Sequence, residues 1–114
     1  MKTTETGLRA EAIVAEELRR QGHKIVARNW KTKVCEIDII AKKEDVVYFV
    51  EVKHRYQAAQ GSGLEHITQQ KLRRMDFAAR VWCQHQSWDG DCALLAAEVA
   101  GPDFESVSIT EISN

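Results

Sequence analysis

A strand–turn–strand pattern over residues 36–53 constrains the fold of this chain more than any other feature. Polar and apolar residues alternate from Glu36 to Ile40, residues 42–45 are all charged, and a β-branched and aromatic run begins at Val46. Period-two alternation on either side of a short polar turn is typical of a β-hairpin. The chain is therefore expected to contain a sheet that includes this hairpin.

The hairpin collects charged side chains on one face. Residues of the same parity along a strand share a face, so Asp38 points the same way as Glu36. Glu51 and Lys53 likewise share a face. A symmetric turn near residues 44 and 45 would bring Asp38 opposite Glu51. The other parity is apolar and is expected to form the dry face: Ile37, Ile39, Tyr48, Val50 and Val52.

Two neighbouring carboxylates need a compensating charge, because like charges at close range do not both stay ionised cheaply. Mg²⁺ suits Asp38 and Glu51, since it prefers oxygen ligands and is commonly held by one or two carboxylates together with substrate phosphate. The three cysteines form no C-x-x-C pair and the histidines show no zinc-ligand spacing, so a soft-metal site is not expected. The alternative is a solvated strand face with cross-strand Lys–Glu pairs.

A third carboxylate comes from a helix predicted over residues 4–20. Apolar residues recur there at helical spacing, with Thr3 or Thr4 as possible N-caps and Gly22 as the stop: Leu8, Ala12, Ala15 and Leu18. Glu11 lies inside this stripe, and a buried carboxylate is uncommon unless it is paired or ligated. Glu11 is therefore expected to point at the sheet. The alternative is a position at the edge of the stripe, where it snorkels to water or pairs with a lysine.

Four short strings follow one another along the first half of the chain. They are GLRAE at residues 7–11, ARNW at 27–30, EIDIIA at 36–41 and FVEVKHR at 49–55, with Lys71 further on. Their order and spacing resemble the YraN family of small bacterial proteins. Members of that family are usually described as predicted endonucleases of the PD-(D/E)XK, restriction-endonuclease-like superfamily, similar to archaeal Holliday-junction resolvases. The resemblance covers residues 7 to 80.

The resemblance implies a catalytic or metal-binding role for particular residues. Asp38 and Glu51 would ligate the metal, and the backbone carbonyl of Val52 would add a ligand. Lys53 would contact the scissile phosphate or the attacking water, and Glu11 matches the helix acid that completes the site in the resolvase-like branch. These roles agree with physical chemistry, since a cation lowers the pKa of bound water and an ammonium group stabilises charge on the phosphate oxygens.

Positive charge collects next to the proposed catalytic lysine. The chain has a net charge of −1 at pH 7, yet residues 53–80 carry six Lys or Arg against two acids and residues 81–114 carry none against six. A basic segment of this kind fits the phosphate backbone of a nucleic acid. The nucleic-acid-binding candidates are Arg28, Arg55, Lys71, Arg73 and Arg74, with Lys31 and Lys33 as an extension. The alternative is a solvated helix face.

The remaining patterns complete an α/β domain over residues 1–114, with a mixed central sheet flanked by helices in the order α-β-β-β-α-β-β. The resemblance implies that its core is restriction-endonuclease-like. The other predicted elements are a strand over 23–30, a loop over 57–63, a helix over 64–86 and strands over 92–99 and 106–112. Three aromatic residues are expected to pack in the core or against a partner rather than stack on bases: Trp30, Tyr56 and Trp88.

The expected function is an Mg²⁺- or Mn²⁺-dependent endonuclease that hydrolyses phosphodiester bonds in DNA, including branched, Holliday-junction-like structures. No apolar run approaches membrane-spanning length, so no membrane partner and a cytoplasmic location are expected. A chain of 114 residues is small to grip a duplex alone, and a homodimer would solve that. The alternatives are a catalytically silent nucleic-acid-binding module with the same fold, and a structural partner protein.

Overall fold

Two helices and five strands make up the described part of the chain, residues 5–55 and 67–112 of a computed structural model. In chain order they are α1 (Glu5–Arg20), β1 (Lys24–Lys31), β2 (Glu36–Lys43), β3 (Val46–Arg55), α2 (Gln69–His85), β4 (Asp91–Ala100) and β5 (Ser106–Glu111). The strands form one sheet in the order β1-β2-β3-β4-β5. β3 and β4 run parallel and the other neighbours antiparallel, so the sheet is mixed, as expected. Neither helix has the length and apolar character needed to cross a membrane.

The bounds of several elements differ from those predicted. α2 begins at Gln69, because the Oγ1 of Thr68 accepts a hydrogen bond from the Lys71 N–H at 3.0 Å and caps the helix there. β1 begins after Gly22, whose φ of +95° reverses the chain at the end of α1. The loop predicted over 57–63, the N-caps proposed at Thr3 or Thr4, and Tyr56 lie outside the described residues.

Apolar side chains are buried on both faces of the sheet. α1 covers one face, over a cluster that includes Val14, Leu18, Ile39, Val50, Val52 and Val99. α2 covers the other face, over a cluster that includes Ile37, Ile40, Phe49, Met75, Trp82 and Leu94. Trp30 and Trp88 pack against this second cluster, which agrees with the core role expected for them. The expectation that only one face of the hairpin is dry is wrong, because α2 excludes water from the second face as well.

The buried face of α1 is rotated from the predicted stripe. Leu8 is 44% exposed and Ala12 is exposed, although both belong to that stripe. The buried residues are instead Ala10, Glu11, Val14, Ala15 and Leu18. This orientation puts Val14 rather than Ala12 against the sheet, and the larger side chain removes more apolar area from water. Glu11 stays within the buried face, as predicted.

β1 and β2 are irregular close to Asn29, which has a φ of +53° in the left-handed region. Ala27 and Trp30 lie three residues apart on β1, yet both pack against the cluster on the α2 face. Their partners on β2, Ile40 and Ile37, do the same. Residues three apart on a regular strand point to opposite faces of the sheet. The alternation of side chains between the two faces is therefore interrupted between these positions on both strands.

Candidate functional site

Asp38 is held in place by a main-chain hydrogen bond. Its Oδ2 accepts from the Val52 N–H at 2.7 Å, and the residue is only 2% exposed. A charge-assisted hydrogen bond of this length fixes the orientation of the carboxylate. The β2–β3 register matches the predicted symmetric turn, and its last pair is Ile39–Val50. Asp38 and Glu51 are the next residues on the two strands. The predicted shared face of Ile37 and Ile39 is wrong, because Ile37 packs on the α2 face and Ile39 on the α1 face.

Glu51 is the centre of a cluster of charged side chains. The residue is 5% exposed, and the Nζ atoms of Lys53 and Lys71 lie 3.7 Å from its Oε2 and 3.6 Å from its Oε1. Lys53 comes from the same strand, β3, whereas Lys71 comes from the first turn of α2. A buried carboxylate is tolerated when opposite charges lie this close. Both ammonium groups also lie within reach of an anion that approaches Glu51.

Glu11 points into the interior from α1. It is fully buried, and the Nη2 of Arg28 on β1 lies 3.8 Å from its Oε1. The sequence left open a pairing with a lysine, and the structure provides an arginine. Arg28 was predicted to contact nucleic acid, and its side chain remains 35% exposed while it compensates Glu11.

The three carboxylates are oxygen donors of the kind that Mg²⁺ takes in proteins. Over residues 5–55 and 67–112, however, no three His, Cys, Asp or Glu side chains are arranged so that they could hold a metal ion. The oxygens of Asp38 and Glu51 instead contact the Val52 N–H, Lys53 and Lys71. The residues therefore fit a hard cation by chemical type, and ligation would require their side chains to rotate away from these contacts.

Cys35 lies close enough to Lys71, Glu51 and Asp38 for their charges to act on it. Its closeness to Asp38 along the chain was the one indication of this before the structure. Burial raises the pKa of the Cys35 thiol. The positive charge of Lys71 opposes this rise in pKa, and the negative charges of Glu51 and Asp38 add to it. The Cys35 thiol is therefore protonated at neutral pH and is a poor nucleophile there.

Asn29 is a second residue that the sequence reasoning did not assign to the site. It lies opposite Asp38, between the pairs Arg28–Ile39 and Trp30–Ile37. Its Oδ1 is buried and accepts no hydrogen bond from any residue in the described ranges. Asparagine adopts the left-handed conformation more readily than most residues, which was the available indication in the sequence of a backbone irregularity here.

The basic residues predicted to bind nucleic acid differ in their surroundings. Arg55 is 8% exposed, and its Nε lies 3.1 Å from the Oε2 of Glu98 on β4. Its guanidinium group thus joins two parallel strands in the interior. Arg73 and Arg74 are exposed on α2, close to the end that carries Lys71. Arg74 also lies near enough to Cys35 for its charge to act on that thiol.

The model of the uncharacterised protein family UPF0102 matches residues 10–108. The chain belongs to this family. A UPF0102 protein of Nitratidesulfovibrio vulgaris strain DP4 is 41% identical over 88 residues, which cover 76% of this chain and 66% of that protein. A UPF0102 protein of Leifsonia xyli is 39% identical over 83 residues, 73% of this chain and 70% of that protein. A UPF0102 protein of Brucella canis is 42% identical over 83 residues, which cover 71% of this chain and 63% of that protein.

Membership of UPF0102 confirms the family that the resemblance to YraN predicted. The matched range, 10–108, contains Glu11, Asp38, Glu51 and Lys53. The chain spans about two thirds of the length of the Nitratidesulfovibrio relative, 66%. The names of these UPF0102 relatives state no activity, so function has to be argued from the site.

Proposed function

We propose that this UPF0102 protein is an Mg²⁺-dependent endonuclease of the restriction-endonuclease-like superfamily that hydrolyses phosphodiester bonds in DNA. One observation carries the proposal. The buried carboxylates of Asp38 and Glu51 lie on adjacent strands, with the ammonium groups of Lys53 and Lys71 at 3.7 and 3.6 Å from Glu51. Oxygen ligands for a hard cation and positive charge for a phosphate are thus available at one place.

Asp38, Glu51, Glu11 and the Val52 carbonyl are the groups that would hold the cation. When bound, Mg²⁺ supplies Lewis acidity that lowers the pKa of a coordinated water and neutralises charge on the phosphate. The Val52 N–H orients Asp38 through the 2.7 Å hydrogen bond to its Oδ2, and ligation would require the carboxylate to turn away from this contact. Lys53, with a side chain 46% exposed, donates to a phosphate oxygen from the solvent side.

The ion pairs of Glu51 give Lys53 and Lys71 a second role. Without a cation, both ammonium groups compensate the buried carboxylate of Glu51. A bound divalent ion would supply that compensation, and the two lysines would then be available to the phosphate group of the substrate. The same two side chains thus stabilise the protein before substrate arrives and stabilise negative charge on the phosphate afterwards.

DNA as substrate is supported by the exposed arginines of α2, Arg73 and Arg74, which lie on the helix that carries Lys71. Phosphate contacts of this kind position a protein on a duplex without reading its sequence. The extension to branched, Holliday-junction-like DNA rests on the resemblance to the resolvase-like branch, as does membership of the superfamily.

Calorimetric titration with Mg²⁺ or Mn²⁺, followed by incubation with labelled linear, single-stranded and four-way-junction DNA, tests the proposal. Asp38→Asn keeps an acceptor for the Val52 N–H but loses the charge, so it should fold and lose metal binding. Lys53→Ala should bind metal and lose cleavage by about a hundredfold or more. Asp89→Asn, on the exposed α2–β4 connection, is the matched control and should behave as the unaltered protein.

A catalytically silent nucleic-acid-binding module is the second candidate function. The observation that favours it is the set of ion pairs that already engages Glu51, together with the lack of a three-ligand group among the residues described. This candidate requires DNA binding that is independent of divalent ions and unchanged by Lys53→Ala. Metal binding without cleavage of any DNA in the same titration would favour it over the endonuclease.

A further inference from the structure

A groove of about 580 Å³ lies between α2 and the segment that joins β1 to β2. Its lining is largely apolar, and it includes aromatic and basic side chains: Trp30, Lys31, Lys33, Val34, Phe77 and Val81. The wall on the β1–β2 side is held in shape by Thr32, whose Oγ1 accepts hydrogen bonds from the N–H groups of Val34 at 3.2 Å and Cys35 at 3.1 Å. The groove is therefore preformed.

Two large apolar side chains in this groove face water. Phe77 is 51% exposed and Val34 is 49% exposed. Burial of such side chains stabilises a protein, so their exposure forgoes stability in the isolated chain. Exposed apolar surface gathered in a concave site marks a place where a ligand or partner binds. Leu8, which is 44% exposed on α1, lies outside the groove and serves as a comparison.

The charge around Phe77 identifies the kind of occupant. On α2, Arg73, Arg74 and Arg80 lie three or four residues from Phe77 and so flank it on the helix surface. Arg80 pairs with Asp76 at 2.8 Å, whereas Lys33 adds positive charge from the opposite wall. A flat apolar surface surrounded by cations fits a ligand that has a flat apolar part and a negative charge. An unpaired nucleotide has both.

The groove and the candidate catalytic site are built on the same elements. Thr32, Lys33 and Val34 line the groove and precede β2, which carries Asp38. On the other wall, Phe77 follows Lys71 by six residues of α2, a rise of about 9 Å along the helix axis. We therefore expect one strand of nucleic acid to contact both Lys71 and Phe77.

We infer that the groove binds an unpaired nucleotide next to the cleavage site, with its base stacked on Phe77 and its phosphate beside Lys33. The inference deepens the proposed function and rests on it for the nature of the substrate. Because every base has a flat π-face, such stacking is independent of sequence. The protein would then prefer nucleic acid in which a duplex meets a single strand.

Fluorescence anisotropy in the presence of EDTA tests the inference, because no cleavage occurs without metal. The probes are a blunt DNA duplex and the same duplex with a single-stranded extension. The unaltered protein should bind the extended duplex more tightly than the blunt one. Phe77→Ala should weaken binding of the extended duplex by about tenfold and leave the blunt duplex unchanged. Leu8→Ala is the matched control, and Phe77→Tyr should restore the preference.

Other results would overturn the inference. Equal loss on both duplexes, or no loss on either, would show that Phe77 does not stack on an unpaired base. A change of sedimentation mass on Phe77→Ala would assign the groove to an interface between two copies of the chain. Binding of the extended duplex through Phe77 without cleavage in Mg²⁺ would support the groove and overturn the endonuclease alone, so the two failures can be told apart.

Discussion

At the scale of single residues, Glu11 is an acid that is completely buried and lies 3.8 Å from Arg28. The 3.8 Å separation from Arg28 is long for a charge-assisted hydrogen bond, and α1 otherwise packs on the sheet through apolar side chains. A buried pair with such geometry usually stabilises a fold less than a well-packed apolar residue would. Retaining an acid at this position is therefore a cost to stability that a metal-binding role would explain.

Glu11→Met should raise the free energy of unfolding by about 1 kcal/mol, because Met fills a similar volume and Arg28 remains partly solvated. Urea unfolding without Mg²⁺ measures this change. A ligand that binds the native state stabilises it, so adding Mg²⁺ should stabilise the variant less than the unaltered protein. Glu16→Met, at an exposed position on the same helix, is the control and should change stability by less than about 0.5 kcal/mol. A marked loss of stability in Glu11→Met would show that Glu11 stabilises the fold and that a metal-binding role is not needed to explain it.

Cys92 allows a prediction about pH. Burial of its sulfur and the contact with the Cys83 sulfur at 3.0 Å raise the pKa of the Cys92 thiol from 9.0 to about 12. Between these values the unfolded chain loses the proton while the folded chain keeps it, so stability falls as pH rises. The urea midpoint should therefore drop between pH 8 and pH 10, and less so in Cys92→Ser. Equal pH dependence of the two proteins would contradict this.

At the scale of elements, the sequence predicted the helices and strands well. It did not predict which side of each element faces its neighbours. The hairpin of β2 and β3 follows from alternation on both sides of a charged turn, and the structure pairs Lys43 with Val46 across it. The change of facing between Ala27 and Trp30 coincides with the left-handed backbone of Asn29, which alternation cannot show. The rotated face of α1 likewise follows from packing on the sheet, since helical periodicity predicts a stripe but not where it makes contact.

The site was predictable to a similar extent. The placement of Asp38 and Glu51 on neighbouring strands, each next to the last ladder pair, follows from the hairpin register. The burial of Glu11 follows from its position within an apolar stripe. The contact between Lys71 and Glu51 joins residues twenty positions apart through the docking of α2, which spacing along the chain does not encode. Burial of Arg55 depends on Glu98 on the parallel strand β4, for the same reason.

The N-terminus of α2 is the element on which this placement of Lys71 depends. Thr68→Ala removes the Oγ1 acceptor of the Lys71 N–H, so it should lower the free energy of unfolding by about 1 kcal/mol. Urea unfolding followed by circular dichroism measures the loss. Thr68→Ser keeps the hydroxyl group and should retain most of the stability. If serine and alanine were equally destabilising, the methyl group rather than the cap would matter.

At the scale of the whole molecule, charge is distributed unevenly across the sheet. Residues 81–114, which include the end of α2 as well as β4 and β5, carry six acids and no Lys or Arg. In the sheet order, β5 is the edge strand opposite β1, and the groove lies at the β1–β2 side. Repulsion from the acidic edge and attraction to α2 would therefore orient a nucleic acid toward the candidate site before contact.

Salt dependence of DNA affinity separates the arginines that face solvent from the one that is buried. Arg73→Gln should weaken binding of every DNA alike and reduce the slope of log K against log salt by about 0.9, the share of one phosphate contact. Arg55→Gln should leave that slope unchanged. It should instead lower the urea midpoint of unfolding, because the carboxylate of Glu98 would lose its ion pair at a largely buried position. Anisotropy titrations over a range of NaCl concentrations give both slopes, and a reduced slope for Arg55→Gln would show that this side chain leaves the interior to reach phosphate.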